Sequence, residues 1–102
     1  MAKIAGAQAR ESDHDMAALR KSAGEWLKGL REESGLSQTE LAERVGVDYY
    51  SFISQIENGR GRIPSGRFAK WADALGVDRR VFTKEILRYY DPCVHELLFD
   101  AA

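Results

Sequence analysis

Residues 36–65 read LSQTELAERVGVDYYSFISQIENGRGRIPS. Two short helical patterns follow one another here. Gly46 separates them, Gly59 closes the second, and an arginine-rich loop comes next. Ser37 and Glu40 have capping-box spacing. In that arrangement the serine hydroxyl accepts from the backbone N–H three residues on, and the glutamate accepts from the serine N–H. Leu41, Ala42 and Val45 then share one face, and Gly46 stops the helix. The next helix is expected to start near Asp48 to Tyr50 and to run to Asn58, with Gly59 just past its end. Two tyrosines and a phenylalanine open that helix, and Arg60 and Arg62 follow it.

Helical spacing extends on both sides of this stretch. Upstream, Met16, Leu19, Ala23, Trp26, Leu27 and Leu30 recur at a helical period, and Gly35 supplies a stop. This first helix reads either as one rod or as two pieces broken near Gly24. Downstream, Ser65 is expected to cap a helix bearing Phe68, Trp71, Ala72 and Leu75. Asp78 caps another, with Val81, Phe82, Ile86 and Leu87 apolar, ending before Asp91-Pro92. No strand alternation appears. The expected organisation is a mobile arm over residues 1–12, a five-helix all-α domain over 13–90, and a short apolar C-terminal tail over 91–102.

At 102 residues, 44% hydrophobic and 30% charged, the chain fits one globular domain with a modest core. No apolar run reaches the length of a membrane span, so no membrane partner is expected. The N-terminus lacks the apolar stretch of a secretory signal. A lone cysteine, Cys93, excludes an intrachain disulfide framework and points to a reducing cytoplasm. Net charge is −1, which does not favour non-specific nucleic-acid binding. Its distribution is uneven, however. Between Gln55 and Ala72 stand Arg60, Arg62, Arg67 and Lys70 against Glu57 alone, whereas residues 91–102 hold three acids and no Lys or Arg. A positive face is compatible with that segregation.

LSQTELAERVGV, FISQIENGRGRIPS and WADALGV together resemble the helix-turn-helix domain of the Cro/CI-like (XRE) family, a lambda-repressor-like fold. About half the chain carries the resemblance closely. Gln38 opens the first helix of the pair, and Ala42 is small where two helices cross. Gly46 suits the left-handed turn, Ile53 and Ile56 face inward, and Asn58-Gly59 closes the second helix. The motif spans about residues 37–59. One departure stands out: an extra residue between Gly46 and Ile53, placed in the turn at Val47-Asp48-Tyr49. The resemblance implies binding to double-stranded DNA, with Gln38 touching phosphate. It also implies a structural ion pair between Arg31 and Glu57. A DNA-binding transcriptional regulator is therefore expected, bacterial or phage-encoded and associated with the nucleoid when bound.

Helical geometry assigns the contacts. At about 100° per residue, with Ile53 and Ile56 inward, Tyr49 falls on the same stripe and is expected in the core. Ser51, Ser54, Gln55 and Asn58 point away, and Tyr50 and Phe52 lie on the borders. Small polar groups suit base edges in a major groove, and glutamine can pair with adenine through two hydrogen bonds. The base-contact set is thus Tyr50, Ser51, Phe52, Ser54 and Gln55, although the two aromatics also fit simple packing. Gln38, Asn58, Arg60 and Arg62 form the phosphate set, which fixes orientation rather than sequence.

The tail residues Val94, Leu97, Leu98 and Phe99, with Tyr89 and Tyr90, either cap the core or form a homodimer surface. A dimer would place two reading helices about 34 Å apart on a near-palindromic site. An antitoxin-like role, neutralising a protein partner through the tail, and a scaffold that no longer binds DNA are the rival readings. Cys93 and His95 alone do not make a metal site, since structural zinc uses four ligands. GRGRIPSG lacks the lysine and spacing of a phosphate loop. Neither a cofactor nor a catalytic function is expected.

Overall fold

In the computed structural model, which describes residues 2–47 and 49–100 and side chains from Met16 onward, Ser37 caps the first helix of the decisive pair. Its hydroxyl accepts from the Glu40 N–H at 3.0 Å, and the Glu40 carboxylate accepts from the Ser37 N–H at 3.0 Å. Helix α2 (Gln38–Val45) runs from that box to Gly46, whose φ of 77° is left-handed. The Gly46 and Val47 N–H groups donate back to the last turn, which closes α2 as a glycine cap does. Helix α3 (Tyr50–Glu57) follows.

Around this pair lie α1 (Ala2–Glu33), α4 (Phe68–Leu75), α5 (Arg79–Tyr90) and α6 (Pro92–Phe99), with a 3-10 turn at Ser65–Arg67. Among the described residues there is no strand. Helix α1 packs on α3 and α5, α2 on α3 and α4, and α5 on α4 and α6. The core is where these faces meet: Leu27, Leu41, Val45, Ile53, Ile56, Ile63, Trp71, Phe82, Ile86 and Tyr90 are buried. Burying an aliphatic or aromatic side chain of this size contributes about 1.5–3 kcal/mol.

The structure corrects several expectations. Among the described residues there are six helices rather than five. Asp91-Pro92 looked like a terminator but is a start: the Asp91 carboxylate accepts from the Val94 N–H at 3.3 Å, and Pro92 occupies the first turn. Proline is tolerated there because its missing N–H would be unsatisfied anyway. Ser65 does not cap α4 directly, since a 3-10 turn intervenes and Pro64 O accepts from Arg67 N–H. Val81 is exposed, because the buried stripe of α5 is Phe82, Ile86 and Tyr90.

Gly24 does not break α1. A Cβ at Gly24 would lie 2.7 Å from the Ile56 carbonyl oxygen, so the residue admits the end of α3 against the α1 backbone. Of the residues expected as an arm, Met1 lies outside the described set, and α1 is traced from Ala2. Asp48, one of the three residues among which the extra residue is expected, also lies outside the described residues.

Candidate nucleic-acid interface

Helix α3 has one buried and one open side. Ile53, Ile56 and Glu57 are buried. Tyr50, Ser51, Gln55 and Asn58 are exposed, and Ser54 is half-buried on the same side. The Asn58 side-chain amide donates to Ser54 Oγ at 3.4 Å. Phe52 is half-buried and packed on the core, leaving only part of its ring outside. Tyr50 is 59% exposed.

Tyr49 departs from the sequence reading. It is 73% exposed, not core. Its backbone is extended, at φ −128° and ψ 130°, because it caps α3 from outside. A helical wheel cannot be continued through a residue that is not helical. Two adjacent tyrosines therefore stand open at the N-terminal end of α3.

Glu57, the only carboxylate on α3, is withdrawn from that open side. Arg31 Nε donates to Glu57 Oε2 at 2.7 Å, and Arg31 Nη2 donates to Oε1 at 3.1 Å. The two side chains retain 11% and 3% exposure. Arg31 Nη1 also donates to the Leu36 carbonyl at 2.8 Å, which ties the α1–α2 connection to the pair. The hydrogen bond to Glu57 raises the Arg31 pKa against the opposing effect of burial. A buried, two-point arginine–carboxylate pair fixes geometry as well as charge.

Gln38 joins this network. It is half-buried at the start of α2, and its amide donates to Glu57 Oε1 at 3.0 Å. One amide hydrogen is thus spent on positioning, and the second remains. Nearby, the backbone hydrogen bond from Ser37 holds the Glu40 carboxyl below its ordinary value.

Past α3 the chain is tightly held. Gly59 has φ 79°, and a Cβ there would meet Lys21 Cα at 2.8 Å, so the turn lies flat on α1. Arg60 N–H donates to Gln55 O at 2.9 Å. The Arg60 and Arg62 side chains are exposed. Two further cations, counted in the sequence only as local charge, stand at the other end of α3. Arg67 Nη1 lies 3.5 Å from the Val45 carbonyl, and a Cβ on Gly46 would be 3.2 Å from Lys70 Nζ. Both therefore meet the end of α2 and the start of the turn that leads into α3. The spacing of charges along the sequence could not reveal this, because the placement depends on how α4 packs against α2.

The structure thus brings together Arg31, Glu57 and Gln38. It sets Tyr50, Ser51, Ser54, Gln55 and Asn58 on one open side, and it leaves Phe52 between core and surface. Two helices joined by a glycine turn, the second with an uncharged polar face and cations beyond both ends, define a helix-turn-helix protein.

The comparisons agree. The helix-turn-helix family model matches residues 27–82, more than half of the chain. A search of curated proteins finds no match. Among solved structures, the clp gene regulator ClgR from C. glutamicum is similar, with 30% sequence identity and a TM-score of 0.57. The match covers 69% of this chain and 90% of that one. The chain belongs to the XRE-type helix-turn-helix family of DNA-binding transcription regulators. Among the described residues, no helix is long and apolar enough to cross a membrane.

Proposed function

We propose that this protein is a sequence-specific regulator that inserts α3 into the major groove of duplex DNA. The observation that carries this reading is the charge arrangement of α3. Its open side bears hydroxyls, amides and tyrosine, while its one carboxylate is buried against Arg31. A phosphate-lined groove repels acids and admits such a face. Gln55 and Ser51 read base edges, with Ser54 and Tyr50 beside them and the exposed edge of Phe52 available to a thymine methyl. Arg60, Arg62, Asn58 and Gln38 hold phosphates, with the N-terminal N–H groups of α2 adding to the Gln38 contact.

The active form is a homodimer on a near-palindromic site. Support comes from α6, none of whose residues is buried. Leu97 and Leu98 are 85% and 64% exposed. Val94, Leu97, Leu98 and Phe99 are all exposed on this one helix, and a grouped apolar patch of that kind favours a protein partner. The same face supports a second reading, in which the partner is a different protein and DNA binding is secondary, as in an antitoxin.

Selection of bound duplexes from a random pool, using the purified full chain, tests the proposal. Paired half-sites about one helical turn apart are expected. Enrichment of single half-sites would remove the dimer, and no enrichment at all would remove sequence reading.

A further inference from the structure

The sequence groups Tyr90 with apolar residues that either cap the core or form a dimer surface, and the fold buries it in the core. It is the last residue of α5 and is 2% exposed. Its hydroxyl oxygen accepts from the backbone N–H of Ile63 at 3.0 Å, across a span of 27 residues. Its ring carries the Arg62 guanidinium, whose central carbon lies 4.7 Å from the ring centroid. Phe68 backs the ring, with centroids 6.4 Å apart.

One side chain therefore grips two consecutive residues of the arginine loop, one by its backbone and one by its charge. The loop is already fixed upstream by Gly59 on α1, and Ile63 is itself buried. Without the hydroxyl, the buried Ile63 N–H would lose its partner. A guanidinium held over an aromatic ring still has N–H donors to offer an anion. Arg62 forms no ion pair among the described residues, so those donors are not claimed by a carboxylate.

We infer that Tyr90 is a positioning residue for DNA binding, holding Arg62 in the orientation in which it meets a phosphate. The inference rests on the DNA-binding reading above. It adds that the end of α5, well away from α3 in sequence, sets the strength of a sequence-independent contact.

The experiment measures duplex affinity against salt for the wild type, Y90F, Y90L, R62A and R62A/Y90F, with amide hydrogen exchange at Ile63. Removing a phosphate contact lowers the slope of log affinity against log salt by about 0.9, and R62A should do so. Y90F keeps the ring volume and removes the acceptor. It should speed exchange at Ile63 and weaken all duplexes alike, by about fivefold. In the R62A background, the same change should leave affinity where R62A alone puts it.

A wild type that binds no duplex overturns the DNA reading, and this inference falls with it. A wild type that binds, with R62A weakened but Y90F and Y90L unchanged, overturns the inference alone. So does a Y90F loss that persists in full in the R62A background, since Tyr90 would then act on the fold rather than through Arg62. If Y90L does not fold, Y90F decides by itself.

Discussion

Gly24 of α1 lies directly against the carbonyl group of Glu57 at the end of α3, close enough that a Cβ on it would stand 2.6 Å from the Glu57 carbonyl carbon. No side chain fits there, so α1 sets where α3 ends. Gly24→Ala should therefore push the two helices apart and cost about 1–3 kcal/mol, as overpacking does. Gly29, in the same helix, has nothing within 4 Å of its would-be Cβ. Gly29→Ala should stabilise by up to about 1 kcal/mol, because alanine is the better helix former. Urea denaturation of the two variants compares them directly. Equal effects would mean that the α1–α3 approach is not tight.

The buried Arg31–Glu57 pair should be costly to break and inexpensive to replace. Glu57→Ala leaves an arginine charge under cover and should cost about 3–5 kcal/mol. Arg31→Met with Glu57→Leu removes both charges and should cost less than the two single changes added together. A double-mutant cycle by denaturant unfolding measures that coupling, and additivity would show that the two side chains do not depend on one another.

Leu97→Ser and Leu98→Ser should leave the stability of the single folded chain within about 0.5 kcal/mol, since within one chain both side chains are largely in water. Their mass in solution should fall from that of two chains to that of one. An unchanged dimer mass would move the interface away from α6.

Burial raises the pKa of the Tyr90 hydroxyl above its ordinary value, against the lowering effects of the Ile63 N–H and of the Arg62 and Arg20 charges. The folded value lies above the unfolded one, so the folded state favours the neutral hydroxyl. Its contribution to stability is complete below about pH 10 and is lost as pH rises through the folded value. Thermal unfolding between neutral and strongly alkaline pH should show a component that Y90F lacks. If the two pH profiles run parallel, the hydroxyl is not buried as described.

The helix pair was legible because local chemistry specifies it. The Ser37–Glu40 box and the left-handed Gly46 act within a few residues, and Ile53 and Ile56 fall inward by helical period alone. Family resemblance implies the Arg31–Glu57 pair, and the structure joins the two side chains at 2.7 Å. What escaped was set by packing or by the limits of an element. Extending the helical period one residue too far puts Tyr49 in the core, whereas it caps α3 and is exposed. Asp91-Pro92 carries the signals of a helix end and of a helix start alike, so local sequence does not mark α6. Tyr90 and Gly24 owe their roles to contacts 27 and more than 30 residues away, which no periodicity records.

The central claim is that the exposed side of α3 reads base pairs. Its most direct test is an anisotropy titration of the full chain against a selected duplex and a scrambled one, repeated with Gln55→Ala and Arg60→Ala. Gln55→Ala should reduce the preference for the selected duplex by about 1–3 kcal/mol, and Arg60→Ala should weaken both duplexes equally. Equal affinity of the wild type for both duplexes, or a preference that survives Gln55→Ala intact together with substitution of Ser51, would contradict it.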